Sequence, residues 1–278
     1  MMTFIVVPWQ MYQLTQSSAM VGLIYLAELI PMFTLAFLGG ALADYVDKRK
    51  LLRITEIFQT LLTLVLLVNA LLDQPRIWVL FVCVAGHAGL AALQRPAFES
   101  IIQKIIPPEL ISSVMALNSV RFHLGMIAGP AIAGILATQL SPVVVYTIDL
   151  VTFIGTLVAV FMLNYVPPPD NPERPSLDGI KRGIKYAFSR QELLGTYFID
   201  IVAMFFAFPQ ALYPALAVIY GEGYVGFFPA AIAIGALLAS FTSGWTKNVH
   251  RHGVMVVGAA LLWGVGILFF GLSTSIVP

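Results

Sequence analysis

Two apolar runs separated by a short charged loop constrain the fold of this chain most strongly. The runs at residues 20–42 and 51–72 flank the segment GALADYVDKRKLL, in which small residues and an acid precede three consecutive cations. At about 1.5 Å per residue, each run is long enough to cross a hydrocarbon layer of about 30 Å. Backbone groups in lipid must be paired within their own segment, so runs without period-2 alternation predict helices. Both runs are therefore predicted to be transmembrane helices.

The composition extends this prediction to the whole chain. Hydrophobic residues make up 59% and charged residues 10% of the sequence, whereas a soluble domain has roughly 25% charged residues. This excludes an ordinary water-soluble fold. Apolar spans occur at 1–13, 20–42, 51–72, 77–97, 114–140, 143–165, 193–220, 224–245 and 254–272. All but the first are full length, and the predicted fold class is an all-α, polytopic membrane helical bundle.

The cations predict the orientation of the bundle. Alternate connections between the spans contain every Lys and Arg except Arg76 and Arg121. Because cytoplasmic loops are enriched in Lys and Arg, the even-numbered connections are predicted to be cytoplasmic.

The longest connection predicts two halves. Residues 166–192 combine PPPDNPERP with a basic amphipathic stretch, which is typical of a linker lying on an anionic inner leaflet. We expect an N-terminal six-helix half at 1–165, a cytoplasmic linker at 166–192 and a partial C-terminal half at 193–278. The spacing of Phe37, Gly40 and Asp44 recurs at Phe241, Gly244 and Asn248, as expected of parallel repeats.

The loop between the second and third spans resembles the signature loop of the major facilitator superfamily of secondary transporters. The family pattern G-x-L-a-D-r-x-G-r-k is matched at Gly40, Asp44, Lys48 and Arg49, and the sequence departs from it at Tyr45 and Asp47. The resemblance implies the superfamily fold, and a charge latch in which Asp44 and Arg49 stabilise the outward-facing state. The alternative is a solvated loop that obeys the positive-inside rule.

The fifth span carries a second resemblance. Gly125, Gly129, Pro130 and Gly134 are similar to the antiporter motif of facilitator exporters, with Ala133 replacing a glycine. Small residues at this spacing allow close helix approach, and the proline bends the helix; a generic kinked packing face is the alternative. AELIP at 27–31 and LQRPAF at 93–98 resemble the branch that contains enterobactin exporters and drug:proton antiporters.

Ionisable groups inside the spans are the functional candidates, because charge within a bilayer is costly. The hypothesis is that Glu28 or Asp200 exchanges the driving proton and that Arg121 lowers the affinity of a carboxylate for this proton by proximity. Asp149 lies in the sixth span. These groups could instead be structural partners near the interface.

The predicted function is a secondary active exporter of a small amphipathic molecule, drug-like or siderophore-like, coupled to protons by alternating access. The expected partners are that substrate, protons and the lipid of a bacterial inner membrane, and we expect a monomer with no nucleic acid, metal or cofactor. Metabolite uptake by the same fold is the alternative. The chain lacks GxxxxGK[ST], which disfavours an ATP-driven pump, and no clustered nucleophile or acid/base pair favours a membrane enzyme.

We expect the chain to be a truncated facilitator with about nine of twelve helices, since two six-helix halves need roughly 400 residues. The 278-residue chain reconstituted alone into proteoliposomes is therefore expected not to transport. Substrate efflux driven by a pH gradient in such liposomes would contradict this expectation.

Overall fold

The fold was analysed on a computed structural model that describes residues 2–163, 185–186, 188–207, 209–242 and 252–273. Ten α-helices contain most of these residues, and no β-strand occurs among them. The helices are α1 (Thr3–Thr15), α2 (Ser18–Tyr45), α3 (Lys48–Ala70), α4 (Ile77–Ile105), α5 (Ile111–Gln139), α6 (Pro142–Met162), α7 (Gln191–Phe206), α8 (Tyr213–Tyr220), α9 (Phe227–Thr242) and α10 (His252–Leu272). The predicted all-α class is confirmed.

Seven apolar segments of the described chain are long enough to cross a membrane, and one of them, Leu193–Tyr220, contains two helices rather than one. They are Ser18–Ala36, Lys48–Ala70, Ile77–Ile102, Ser113–Gln139, Pro142–Met162, Leu193–Tyr220 and Gly253–Leu272. The span predicted at 224–245 contains a shorter apolar helix, Phe227–Ser240, and residues 243–251 lie outside the described part. The protein is therefore a multi-pass membrane protein.

The span Leu193–Tyr220 was predicted as one helix, and the structure corrects this. Helix α7 ends at Phe206, a 3-10 turn follows at Gln210–Leu212, and α8 begins at Tyr213. Pro209 cannot donate a backbone hydrogen bond, so the α7 ladder cannot continue through it. The Ala207 carbonyl instead accepts a 2.8 Å hydrogen bond from the indole nitrogen of Trp263 on α10, which satisfies a polar group at the helix end.

The chain divides into two compact units. The first contains Met1–Pro175 and Ala211–Ile234, and the second contains Ser176–Gln210 and Gly235–Pro278. Helices α1 to α6, α8 and the first part of α9 belong to the first unit, whereas α7 and α10 pack together in the second. The predicted linker at 166–192 lies largely outside the described residues, so the predicted division into halves stays a prediction.

Helix α1 lies in the core of the first unit. Seven consecutive residues from Ile5 to Met11 are buried, so every face of this short helix contacts its neighbours. Trp9 is fully buried, and Tyr146 of α6 donates a 2.8 Å hydrogen bond from its hydroxyl to Gln10 Oε1. The core is thus apolar with a few internally paired polar groups.

Helices α2 and α4 make the most extensive contact in the first unit. Gly39 on α2 is so close to α4 that a Cβ atom there would lie 2.7 Å from the Ala92 carbonyl oxygen. Pro96 lies four residues after Ala92 inside α4 and has no amide hydrogen to donate to that carbonyl. Gly89 of α4 faces side chains instead, since a Cβ atom there would lie 2.8 Å from a Leu35 methyl group and 3.2 Å from Pro31 Cβ. Small residues therefore set the distance between the two helices.

Replacing Gly39 with alanine should destabilise the protein, because the new methyl group would meet backbone atoms of α4 that cannot rotate away. We expect Gly39→Ala to lower the free energy of unfolding in detergent by about 1–3 kcal/mol. The matched control is Gly155→Ala on α6, where a Cβ would meet no described atom within 4 Å. The control should leave stability unchanged or raise it by up to about 1 kcal/mol through helix propensity; equal effects of the two substitutions would contradict this packing.

Candidate functional site

The turn between α2 and α3 begins with a helix cap. Asp47 precedes α3, and its carboxylate accepts a 2.9 Å hydrogen bond from the Arg49 backbone nitrogen. The aspartate that stands where the superfamily pattern has glycine therefore stabilises the start of α3. Lys48 is 1% exposed, so this cation lies within the packing of the turn.

The predicted charge latch falls partly outside the described residues. Helix α2 continues through Gly40 and Asp44, but the side chain of Asp44 and the surroundings of Gly40 lie outside the part of the chain that the structure describes. The pairing of Asp44 with Lys48 or Arg49 therefore stays a prediction.

Arg53 joins α3 to the end of α6. Its Nη2 atom donates a 2.6 Å hydrogen bond to the Phe161 carbonyl, and its guanidinium lies 4.6 Å from the centre of the Phe161 ring. The last carbonyls of a helix have no intrahelical donor, so this cation satisfies one of them. The contact fixes the end of α6 that is predicted to be cytoplasmic.

A second carboxylate, Glu56, is buried on α3 at 2% exposure. Its Oε2 atom accepts a 2.7 Å hydrogen bond from Gln94 Nε2 on α4. Its Oε1 atom is buried and has no hydrogen-bond partner among the described residues. Sequence reasoning missed this group because it considered the apolar length of the span rather than its polar face. The signal was present, since the buried polar residues of α3 recur at helical spacing.

Asp149 on α6 is buried, and its carboxylate accepts hydrogen bonds from α1. It accepts from the backbone nitrogen of Thr3 at 2.9 Å and also from the Thr3 hydroxyl. Nearby helices provide a further polar contact, in which Thr63 Oγ1 and His87 Nε2 lie 3.3 Å apart. The His87 ring also packs on Phe153 with 5.6 Å between centroids.

Glu28 lies half-buried on α2 beside aromatic residues. Tyr25 lies one turn earlier on the same helix. Phe4 packs edge-on against Tyr25 at 6.0 Å, and Phe228 stacks on Tyr213 of α8 at 5.3 Å between centroids. Tyr25 and Phe228 pack against the same buried core. Together with Glu28, these four rings are the aromatic and acidic cluster of the first unit, which could surround the apolar part of a ligand.

Arg121 and Asp200 lie in different surroundings. The Arg121 guanidinium donates to Asn118 Oδ1 at 3.1 and 2.8 Å and lies 5.6 Å from the centre of the Phe98 ring. Asp200 is an exposed residue of α7 in the second unit. The contacts that the structure gives Arg121 are thus to an amide and an aromatic ring.

The antiporter-like motif of α5 packs closely on the start of α9. A Cβ atom added at Gly134 would overlap the backbone of Gly226, and one added at Gly226 would overlap the Pro130 carbonyl. Gly125 lies at the other end of the motif, and a Cβ atom added there would meet no described atom within 4 Å. Pro130 and Gly134 therefore allow direct backbone contact, whereas Gly125 does not take part in it.

A family model described as transmembrane secretion effector matches residues 1–277. The chain belongs to this transmembrane secretion effector family. It is also similar to proteins named enterobactin exporter EntS from Escherichia coli O1:K1, Shigella boydii serotype 18 and Escherichia coli O139:H28, at 25% identity over 270 residues. The alignment includes 96% of this chain and 65% of each relative, so the chain spans about two thirds of their length.

Membership of the secretion effector family confirms the resemblance to the major facilitator superfamily and the fold that it implies. The family description and the names of the relatives are those of transport proteins. No group of three or more His, Cys, Asp or Glu side chains suited to a metal ion occurs within the described ranges. The individual roles predicted for the site residues stay predictions.

The two ends of the α5 motif should respond differently to the same substitution in this secretion effector. Gly134→Ala is expected to separate α5 from α9 and to lower the free energy of unfolding by about 1–3 kcal/mol. Gly125→Ala is the matched control and should be tolerated, because its methyl group would enter open space. Thermal unfolding in detergent compares the two, and a harmless Gly134→Ala would show that the close contact with Gly226 is not required.

Proposed function

We propose that the protein is a secondary active transporter that exports a small amphipathic molecule in exchange for protons by alternating access. The observation that carries this proposal is the match of residues 1–277 to the transmembrane secretion effector family. An exporter driven by an ion gradient needs no nucleotide-binding domain, and its coupling groups lie inside the helical bundle.

Glu28 is the leading candidate for the driving proton. It is half-buried in a membrane-spanning segment and lies one turn after Tyr25. A carboxyl group in such a place is neutral when protonated and charged when not, so its proton occupancy changes the energy of the conformation that surrounds it. Proton binding from one side of the membrane and release to the other would then bias the two states of the transporter.

Asp200 and Arg121 have secondary roles in this proposal. Asp200 is exposed on α7 and could exchange a proton near the predicted cytoplasmic side. Arg121 contacts Asn118 and Phe98, and a carboxylate that approaches it in another conformation would be stabilised in its charged form. Arg121 is therefore proposed to favour proton release in one state of the cycle.

The α2–α3 loop is proposed to hold the outward-facing state. Asp47 caps α3 and thereby orders the backbone of the turn, which places Lys48 and Arg49 at the helix N-terminus. Asp44 would pair with these cations while the inner faces of the helices are together. Opening towards the cytoplasm would break the pair.

The substrate class follows from the aromatic and acidic cluster and from the names of the relatives. Phe4, Tyr25, Tyr213 and Phe228 offer ring surfaces in the cluster that includes Glu28. The relatives are named for enterobactin export. We propose a small amphipathic molecule of drug-like or siderophore-like chemistry, carried by a monomer in a bacterial inner membrane.

Proton coupling is tested with the full polypeptide in proteoliposomes that contain a pH-sensitive dye. Enterobactin and the cationic dye ethidium serve as probes, and transport driven by a pH gradient should be observed with at least one. Glu28→Gln should reduce gradient-driven transport to the level of protein-free liposomes, because the amide cannot carry a proton. Binding of the probe by the variant should remain.

The control for this substitution is Glu109→Gln. Glu109 is an exposed residue of the 3-10 turn Pro108–Leu110, so loss of its charge should leave transport unchanged. Unchanged proton-driven transport in Glu28→Gln, Asp200→Asn and Arg121→Ala would refute the proposed coupling groups. If the unmodified protein transports the probe equally well with and without a pH gradient, proton coupling itself is refuted.

A further inference from the structure

A column of buried polar side chains runs along α3, and the proposed coupling groups do not include it. Its members are at most 5% exposed and are Thr55, Glu56, Gln59 and Thr63. Thr55 and Glu56 are adjacent, and Gln59 and Thr63 follow at spacings of three and four residues, so the four side chains lie on one side of the helix. A polar face buried in a membrane protein is costly unless its groups are paired or functional.

The buried polar side chains of α3 contact α4 at two places, and the spacing between these places is the same on both helices. Glu56 Oε2 accepts from Gln94 Nε2 at 2.7 Å, and Thr63 Oγ1 lies 3.3 Å from His87 Nε2. The two contacts are two helical turns apart on each helix and in opposite chain order, as antiparallel neighbours require. The polar face of α3 therefore meets α4 at both ends of this interval.

Glu56 has the geometry of a proton-binding carboxyl group. One oxygen accepts from Gln94, and the other is buried without a hydrogen-bond partner in the described part of the chain. A buried carboxylate with an unpaired oxygen is strongly unfavourable. A proton on Oε1 would remove the charge while Oε2 continues to accept from Gln94.

Apolar residues separate Glu56 from the basic turn before α3. Leu52, one turn before Glu56, and Ala97, one turn after Gln94, belong to one buried apolar cluster. They are 2% and 0% exposed. This cluster lies between Glu56 and the predicted cytoplasmic end of α3, and its opening would give a proton on Glu56 access to the water there.

Gln94 lies in a turn of α4 that lacks one backbone hydrogen bond. Pro96 removes the intrahelical donor to the Ala92 carbonyl, and Gly39 of α2 approaches that carbonyl instead. Proline positions are where helices bend. A change in the hydrogen bond between Glu56 and Gln94 would thus act on α4 next to Pro96, where the helix axis can bend.

The charged groups on the surrounding helices have other contacts. On α4, Arg95 and Glu99 form an exposed ion pair at 3.3 Å. On α6, Asp149 accepts from Thr3, and on α3 itself Arg53 donates to Phe161. The remaining ionisable groups on these elements are Tyr25, Glu28, Asp44 and Tyr45 of α2, Asp47 at the α3 cap, Lys48, Arg49 and Lys50 at the start of α3, Cys83 and Lys104 of α4, His87 beside Thr63, and Tyr146 of α6.

We propose that Glu56 binds and releases a proton during the transport cycle and that Gln94 transmits its charge state to α4 at Pro96, where a helix can bend. The carboxylate accepts one proton at Oε1 and becomes neutral, and it returns that proton to water when the Leu52 and Ala97 cluster opens. The transport readout rests on the proposed function, whereas proton binding by Glu56 does not.

Proton binding is tested by infrared difference spectroscopy on the purified full polypeptide between alkaline and acidic buffer. The unmodified protein should show the C=O stretch of a protonated carboxylic acid, and Glu56→Gln should lack one component of that band. Glu99→Gln, an exposed carboxylate on α4, should keep that component. Gln94→Leu should shift its frequency, because the acid loses its hydrogen-bond donor.

The transport role is tested by the pH dependence of export in proteoliposomes. Glu56→Gln should flatten the pH profile, Glu56→Asp should restore part of it, and Glu99→Gln should retain it. An infrared band unaffected by both Glu56→Gln and Gln94→Leu would overturn the proposal. Loss of the band with an unchanged pH profile would overturn the role in coupling and leave the proposed export function standing.

Discussion

The close backbone contact between α2 and α4 is the constraint on which the first unit depends. Lipid chains are as apolar as the helices that they surround, so apolar burial alone does little to hold such helices together. Gly39 allows α2 to approach the Ala92 carbonyl, which Pro96 leaves without an intrahelical donor. The position and rotation of α4 follow from this contact, and they place Gln94 opposite Glu56 and His87 opposite Thr63.

The same principle applies where α5 meets the start of α9. Gly134 and Gly226 permit direct backbone contact beside the Pro130 carbonyl. The segment Ala211–Ile234 consequently belongs to the first compact unit, although it follows the predicted linker in the chain. A motif that the sequence associates with export is thus also a packing surface, and its glycines are not equivalent.

Polar groups inside the first unit are paired with few exceptions. Asp149 accepts from Thr3, Tyr146 donates to Gln10, and Arg53 reaches the end of α6. The described buried side-chain atoms without a partner include Trp9 Nε1 and Glu56 Oε1. An indole nitrogen cannot change its charge near neutral pH, whereas a carboxyl group can. Trp9 Nε1 is therefore a structural exception, whereas Glu56 Oε1 is a candidate for proton transfer.

The sequence by itself determined the class of protein, the approximate helices and the family, because apolar length, charge distribution and motif spacing are local properties. It could identify Glu28 and the Pro130 motif as candidates for the same reason. Only the tertiary structure decided that Leu193–Tyr220 is interrupted, that Gly134 rather than Gly125 makes backbone contact, and that Glu56 faces Gln94. These outcomes depend on how one helix is rotated against another, and that rotation arises from contacts between residues far apart in the chain.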